Sequence, residues 1–296
     1  MAKYLTPAVT PIRDGKIDFE SCENLYNHLI DGGVDGILIL GSIGEFFALT
    51  IEQKKELIKF AHGVINDRVE LIVGTTAMVY NEIVELSNYC YAVGIKSTMI
   101  IPPFYFHFNG EEIFEYYKNL ALDLKGDFYL YNFPDRTGYE IPVEVIKKLA
   151  LHYPNIIGIK DTISGLDHTR EIIKNVKSVR TDFMVYSGFD DNFLHNVMCG
   201  GDGAIAGLSN LYPTLTSKWV EAVNSNDLPL ANKIQTKIDK LMDIYGVGKP
   251  FVPFIKEALF IKGIINSSEA TKPMPRAKEE QINSLVRIME GYENEE

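Results

Sequence analysis

The 296-residue chain is 46% hydrophobic and 23% charged, an ordinary balance for a globular enzyme. Its net charge of −11 and pI near 5.1 argue against nucleic-acid and anionic-membrane partners, while leaving room for a local cationic pocket for a small acid. No apolar run approaches the roughly 18 residues of a membrane span, and residues 1–7 lack the apolar core of a signal peptide, so a cytoplasmic protein is expected.

Taken in order, the chain alternates strand and helix. A first strand is expected at residues 4–9, ended by Thr10-Pro11. Asp18 caps a helix to Asp31 with Leu25, Leu29 and Ile30 inward, and Gly32-Gly33 stops it. A buried strand at 36–40 leads into Gly41-Ser42-Ile43-Gly44-Glu45. Thr50 and Gln53 form a capping box for a helix that turns Leu57, Ile58, Ala61 and Val64 inward. Strands at 71–74, 97–101 and 128–132 alternate with helices at 81–93, 111–122 and from Pro142 to His152. The run Asn-Ile-Ile-Gly-Ile-Lys-Asp-Thr, 155–162, is a short β-branched strand that ends in Lys160. A helix at 167–176, a strand at 183–187, a helix at 191–198, a strand at 204–206 and a helix at 214–224 complete the alternation.

Strands that alternate with helices imply parallel βαβ units. Eight of them, beginning at Tyr4, Gly36, Leu71, Ser97, Phe128, Ile156, Phe183 and Ala204, fit an α/β (β/α)8 TIM barrel over residues 1–226. An open doubly wound sheet is the runner-up, and its GxGxxG turn after the first strand is absent. Residues 227–296 form a C-terminal helical region, with three helices expected at 228–245, 253–262 and 277–290. Residues 291–296 contain no aliphatic side chain and read as a frayed tail. Gly246-Val247-Gly248-Lys249-Pro250 lacks the spacing and hydroxyl of a phosphate loop. Cys22, Cys90 and Cys199 form no CxxC pair and read as reduced, buried thiols. The six histidines have no metal-ligand spacing, and no metal or other cofactor is expected.

In such a barrel the active site lies at the carboxyl ends of the strands. The unusual polar residues fall there: Ser42, Tyr105, Tyr131, Lys160, and Gly188 with Asp190 and Asp191. A dry setting favours the neutral amine of a lysine, and a neutral amine attacks carbonyls to give a Schiff base. A lysine that merely caps its strand is the competing reading of Lys160. Tyr131, one βα unit away, has a phenol able to relay protons, though a packed aromatic is the commoner case. Gly41-Ser42-Ile43-Gly44 suits an anion-binding turn or an ordinary tight one. Asp190-Asp191 suits substrate hydroxyls or a helix cap. His107 reads as a loop residue.

Gly-Ser-Ile-Gly-Glu at 41–45, Tyr-Asn-Phe-Pro-Asp-Arg-Thr-Gly at 131–138 and Ile-Gly-Ile-Lys-Asp-Thr at 157–162 together resemble the dihydrodipicolinate synthase/N-acetylneuraminate lyase superfamily. Thr-Pro-Ala-Val-Thr-Pro near the N-terminus and Gly-Gly-Asp-Gly-Ala-Ile at 200–205 fit it too. The resemblance implies a pyruvate-dependent class I lyase, a homotetramer built as a dimer of dimers. By that resemblance Lys160 matches the Schiff-base lysine, with no further cofactor, and Tyr131 matches the proton-relaying tyrosine. Ser42 and the Ile43 backbone match the pair on the pyruvate carboxylate. Thr162, Gly188 and Ile205 match pocket residues, and Tyr105 matches the tyrosine that reaches a neighbouring subunit's site.

Three departures point within the superfamily. Ile43 stands where the synthases carry threonine. Phe133 makes Tyr-Asn-Phe-Pro resemble bacterial 2-keto-3-deoxygluconate aldolases. The residue between Gly188 and the acidic pair resembles sugar-acid lyases, where the pair binds substrate hydroxyls. Arg136 in Arg-Thr-Gly resembles the synthases, where it binds the second substrate's carboxylate. The resemblance therefore implies an aldolase that cleaves a 2-keto-3-deoxy sugar acid to pyruvate and an aldehyde. Condensation of pyruvate with aspartate semialdehyde is the alternative, and N-acetylneuraminate cleavage comes behind it. A barrel that binds a keto acid and regulates without turnover belongs to another class; the presence of both Lys160 and Tyr131 argues against it.

Overall fold

The computed structural model describes residues 1–294. Eight parallel strands close into a TIM barrel: β1 Lys3–Pro7, β2 Gly36–Ile39, β3 Glu70–Gly74, β4 Ser97–Ile100, β5 Asp127–Asn132, β6 Ile156–Asp161, β7 Met184–Ser187 and β8 Gly203–Ile205. Around the barrel they follow the order β1-β8-β7-β6-β5-β4-β3-β2. A helix follows each: α1 Phe19–Asp31, α2 Ile51–Ile65, α3 Tyr80–Ala92, α4 Gly110–Asp123, α5 Val143–His152, α6 Asp167–Val176, α7 Phe193–Met198 and α8 Pro213–Asn224. The C-terminal extension adds α9 Leu228–Leu241, α10 Val252–Ile261 and α11 Glu279–Glu293. No helix among the described residues is long and apolar enough to cross a membrane.

The chain forms two compact units. One comprises Met1–Lys3 and Leu71–Ile205. Its core is the layer between the outward side chains of the strands and the covering helices. Phe128 and Leu130 of β5, Ile156 and Ile159 of β6, and Val185 of β7 meet Ile113, Tyr117, Ile146, Leu149, Ile172 and Val176 there. The β5–β6 register shifts between Phe128 and Tyr129, where Phe128 pairs with Ile156 but Tyr129 pairs with Gly158. The extra residue, Ile157, is a β-bulge that sets the facing of the rest of β6. Beyond it Ile159 and Asp161 face outward and Gly158 and Lys160 inward. Gly158 has no space for a side chain, because a Cβ there would lie 2.5 Å from the Met184 carbonyl and 2.9 Å from Tyr129.

The second unit comprises Tyr4–Glu70 and Ala206–Glu296. Its helix starts follow from local chemistry. Asp18 caps α1 by accepting from the Ser21 amide, and Thr50 and Gln53 form the expected capping box of α2. On α2 the buried face is Leu57, Ile58, Ala61 and Ile65 with the stem of Lys54, so Ile65 takes the place expected of Val64. The last helix runs on to Glu293, past the expected start of a frayed tail. Tyr292 explains the extension: it is buried, with its ring 4.6 Å from that of Tyr212. Glu295 and Glu296, the end of that expected tail, lie outside the described residues. All three cysteines are free; Cys22 and Cys90 are buried as expected, whereas Cys199 is only half-buried. Burial pushes the Cys22 thiol up to about 12, so it behaves as an inert apolar group.

Candidate active site

Lys160 and Tyr131 are register partners on β6 and β5, so both side chains project from the same inner face. Both are buried, at 4% and 5% exposure, and the Lys160 Nζ lies 4.8 Å from the centre of the Tyr131 ring. Among the described residues three lysines are buried: Lys54, Lys160 and Lys256. Lys256 is tied to Glu45 in an ion pair of fully buried side chains and donates to the Glu269 carbonyl at 3.0 Å. Burial lowers the Lys256 pKa, against the opposing pull of Glu45. Lys54 lies over the Phe46 ring at 5.8 Å. Among the described residues Lys160 has no ion-pair partner, so no carboxylate ties up its amine.

Thr162 follows β6 directly, its amide donating to the Asn132 carbonyl at 2.8 Å. Its hydroxyl is buried and has no hydrogen-bond partner among the described residues, which leaves it available to a ligand. Gly188 donates to the Asp161 carbonyl at 2.8 Å and packs directly on Thr162. A Cβ on Gly188 would fall 1.8 Å from the Thr162 hydroxyl, so no side chain fits. Gly188→Ala is expected to destabilise the fold by about 1–3 kcal/mol through overpacking. Urea unfolding checks this, and an unchanged midpoint would mean that the backbone at Thr162 gives way freely, since its Cβ and Cα would also lie 2.5 and 2.7 Å from the added methyl.

Aromatic rings continue the site outward. Phe133 stacks on Tyr131 with ring centres 5.9 Å apart and meets the edge of Phe189 at 6.4 Å. Arg136, on the one-turn helix Pro134–Thr137, is exposed and holds its guanidinium 4.9 Å from the centre of the Phe133 ring. A cation over an aromatic face keeps a direction without a salt bridge. Asp190 is buried and Asp191 exposed, in a 3-10 turn that precedes α7. The helix expected from Asp191 therefore begins only at Phe193, and its N-cap residue is Asn192. Ile205 is the fully buried last residue of β8. Tyr105 is 78% exposed, edge-on to Phe106 at 5.0 Å.

Ser42 and Ile43 belong to the other unit and follow β2. Their turn is tightly built, with Leu40 and Glu45 in the left-handed region at φ 56°. The Thr10 hydroxyl donates to the Gly44 carbonyl at 2.7 Å. Glu45 Oε2 accepts from the Thr271 amide at 2.7 Å and hydroxyl at 2.6 Å, while Oε1 pairs with Lys256. Sequence reasoning assigned no role to Glu45 or Lys256. The available signal was a carboxylate inside a glycine turn, where an exposed acid is not needed.

Sequence reasoning also missed a polar cluster behind Lys160. Asp161, buried on the outer face, accepts from Asn132 Nδ2 at 2.7 Å and from the Thr169 hydroxyl at 2.5 Å. His168 Nδ1 lies 3.1 Å from each of its oxygens, and His168 Nε2 lies 3.0 Å from the Ile141 carbonyl. Burial lowers the His168 pKa, but hydrogen bonds and charge from Asp161, the Ile141 carbonyl and Glu140 outweigh it, and the net shift is upward.

The family model for the dihydrodipicolinate synthetase family matches residues 1–291. YjhH of Escherichia coli K12, provisionally named a 2-dehydro-3-deoxy-D-pentonate aldolase, is 35% identical, covering 90% of this chain and 89% of its own. YagE of the same organism, provisionally named a 2-dehydro-3-deoxy-D-gluconate aldolase, is 32% identical over 96% of this chain and 95% of its own. The crystal structure of YagE in complex with pyruvate superposes with a TM-score of 0.95 at 31% identity, covering 99% of this chain and 98% of that one. A 4-hydroxy-tetrahydrodipicolinate synthase from Kosmotoga olearia is 32% identical over 95% of each chain. A family match across nearly the whole sequence, with relatives about a third identical over their full lengths, makes this chain a member of the dihydrodipicolinate synthetase family.

Proposed function

We propose that the protein is a class I aldolase that cleaves a 2-keto-3-deoxy sugar acid to pyruvate and an aldehyde through a Schiff base on Lys160. The observation that carries it is a buried lysine without an acidic partner among the described residues, facing a buried tyrosine at the same register. The crystallised YagE complex with pyruvate supports a 2-keto acid ligand. The names of YjhH and YagE support a deoxy sugar acid.

The Lys160 amine adds to the C2 carbonyl, and loss of water from the carbinolamine gives a protonated imine. The imine draws in the electron pair of the C3–C4 bond, which becomes the enamine as C4 becomes an aldehyde. The C4 hydroxyl proton passes through the Tyr131 phenol and ends on C3 of the enamine. Water then hydrolyses the pyruvate imine and frees Lys160. By the family resemblance, Ser42 and the Ile43 amide match the pair that holds the C1 carboxylate. Thr162, Gly188, Asp190, Asp191 and Ile205 are assigned to the remaining substrate wall, with the unpartnered Thr162 hydroxyl as a hydrogen-bonding group. No other cofactor is needed, because the imine is the electron sink. The same reading carries a homotetramer in the cytoplasm with Tyr105 at a subunit boundary; sedimentation velocity tests the assembly.

Arg136 favours a second reading, since a guanidinium steadied by Phe133 suits the carboxylate of aspartate semialdehyde as well as that of a sugar acid. Pyruvate release from 2-keto-3-deoxygluconate, its galactonate epimer and N-acetylneuraminate, coupled to lactate dehydrogenase, separates these readings. Release from a deoxy sugar acid is the expected result. Silence from all three, with condensation of pyruvate and aspartate semialdehyde, would overturn the aldolase reading. Tyr131→Phe is expected to lower turnover by about a hundredfold or more while pyruvate binding stays within about threefold. Equal losses in both would remove the proton relay.

A further inference from the structure

Strand alternation gives Lys160 and Tyr131 a second pair of neighbours. One residue further on, Asn132 and Asp161 are also register partners, and they face the helices. We propose that His168 is a positioning residue: as an imidazolium paired with Asp161, it fixes from the outer face the two strand ends that carry Lys160 and Tyr131.

The hydrogen-bond inventory decides the charge. The Ile141 amide donates to Asn132 Oδ1 at 2.9 Å, which orients the Asn132 amide with its Nδ2 toward Asp161. The Asp161 carboxylate thus already receives hydrogens from Asn132 and Thr169. His168 Nε2 faces the Ile141 carbonyl, which only accepts, so that nitrogen carries a hydrogen. Nδ1 faces the carboxylate and carries another. Both side chains are screened from water, at 8% and 0% exposure. One ion pair therefore joins β6, β5 through Asn132, the Ile141 segment and α6. Misplacing a reacting group by about 1 Å can cost roughly a hundredfold in rate, so the bracket bears on catalysis.

The charges acting on His168 are Asp161 from β6 and Glu140 from the segment ahead of α5. On its own helix Asp167 pairs with Arg170 at the surface. The charged residues of α5, Glu144, Lys147, Lys148 and His152, are half-buried or exposed, and β7 brings no charged side chain. From α7, His195 borders Thr169 and Arg170. The His168 pKa is raised on folding, so the pair contributes fully below the ordinary value of 6.5 and is lost as pH rises through the raised value. The bracket predicts an alkaline decline in the chemistry of Lys160.

The link to catalysis rests on the Schiff-base reading, and the test separates the two. Histidine labelled with 15N is followed in the intact protein from about pH 5.5 to 9. In parallel, borohydride trapping gives the rate of pyruvate-adduct formation. One imidazole should hold two ring hydrogens through neutral pH, and its loss of one should share a midpoint with the decline in trapping rate. In His168→Gln that imidazole signal disappears, the maximal trapping rate falls about tenfold to a hundredfold, half-saturating pyruvate barely moves, and the alkaline decline is gone. A single ring hydrogen on His168 at pH 7, two different midpoints, or an unchanged profile in His168→Gln would overturn the inference. Should the variant not fold, the wild-type midpoints decide alone. No adduct in the wild type would instead defeat the Schiff-base reading, with the ring hydrogens still reporting on His168.

Discussion

Lys160→Ala is expected to remove turnover by at least roughly four orders of magnitude, the scale seen when a covalent nucleophile is deleted. Without the amine there is no imine, and without the imine the electrons of the C3–C4 bond have no sink. The fold should survive. Lys160 makes no ion pair among the described residues, and truncation removes no partner from a buried charge. The expected result is a variant with near-native urea unfolding and no pyruvate release. Residual turnover within about tenfold of wild type would exclude covalent catalysis by this residue.

The second large effect is on stability. Glu45→Ala should cost about 3–5 kcal/mol, because it strands the Lys256 ammonium in the interior. The Thr271 amide and hydroxyl lose their acceptor at the same time. Against a total stability of about 5–15 kcal/mol, such a loss is a large fraction or all of it. The double variant Glu45→Gln with Lys256→Met should cost much less, since it leaves no buried charge and keeps an acceptor for Thr271. Urea denaturation of both variants checks the pair. A Glu45→Ala loss below about 1 kcal/mol would mean that the ion pair is solvated and weak.

Periodicity and punctuation carried most of the fold. The α6 boundaries match the expected residues 167–176, because Asp167 opens a short helix whose apolar positions end at Val176. The box of Thr50 and Gln53 was legible since both halves lie within one helical turn. The equivalent box of Asn109 and Glu112 was available to the same rule. Val64 was misplaced because Ile65, one position on, lies closer to the buried stripe. Lys160 was legible as a candidate only through the barrel assignment, which gathers it with Tyr131 and Ser42 at the strand ends, since a lysine closing a single apolar window is ordinarily exposed. The Asp161–His168 and Glu45–Lys256 pairs could not be found that way. The first depends on a bulge that sets which β6 residues face outward. The second joins residues separated by most of the chain, and charge pairing across such distances leaves no periodic mark.

The most direct test of the account is to reduce the intact protein with borohydride in saturating pyruvate and map the modified lysine by mass spectrometry. The expected result is a single adduct on Lys160 that is absent from Lys160→Ala. No adduct, or an adduct on Lys54 or Lys256, the other buried lysines, would contradict it.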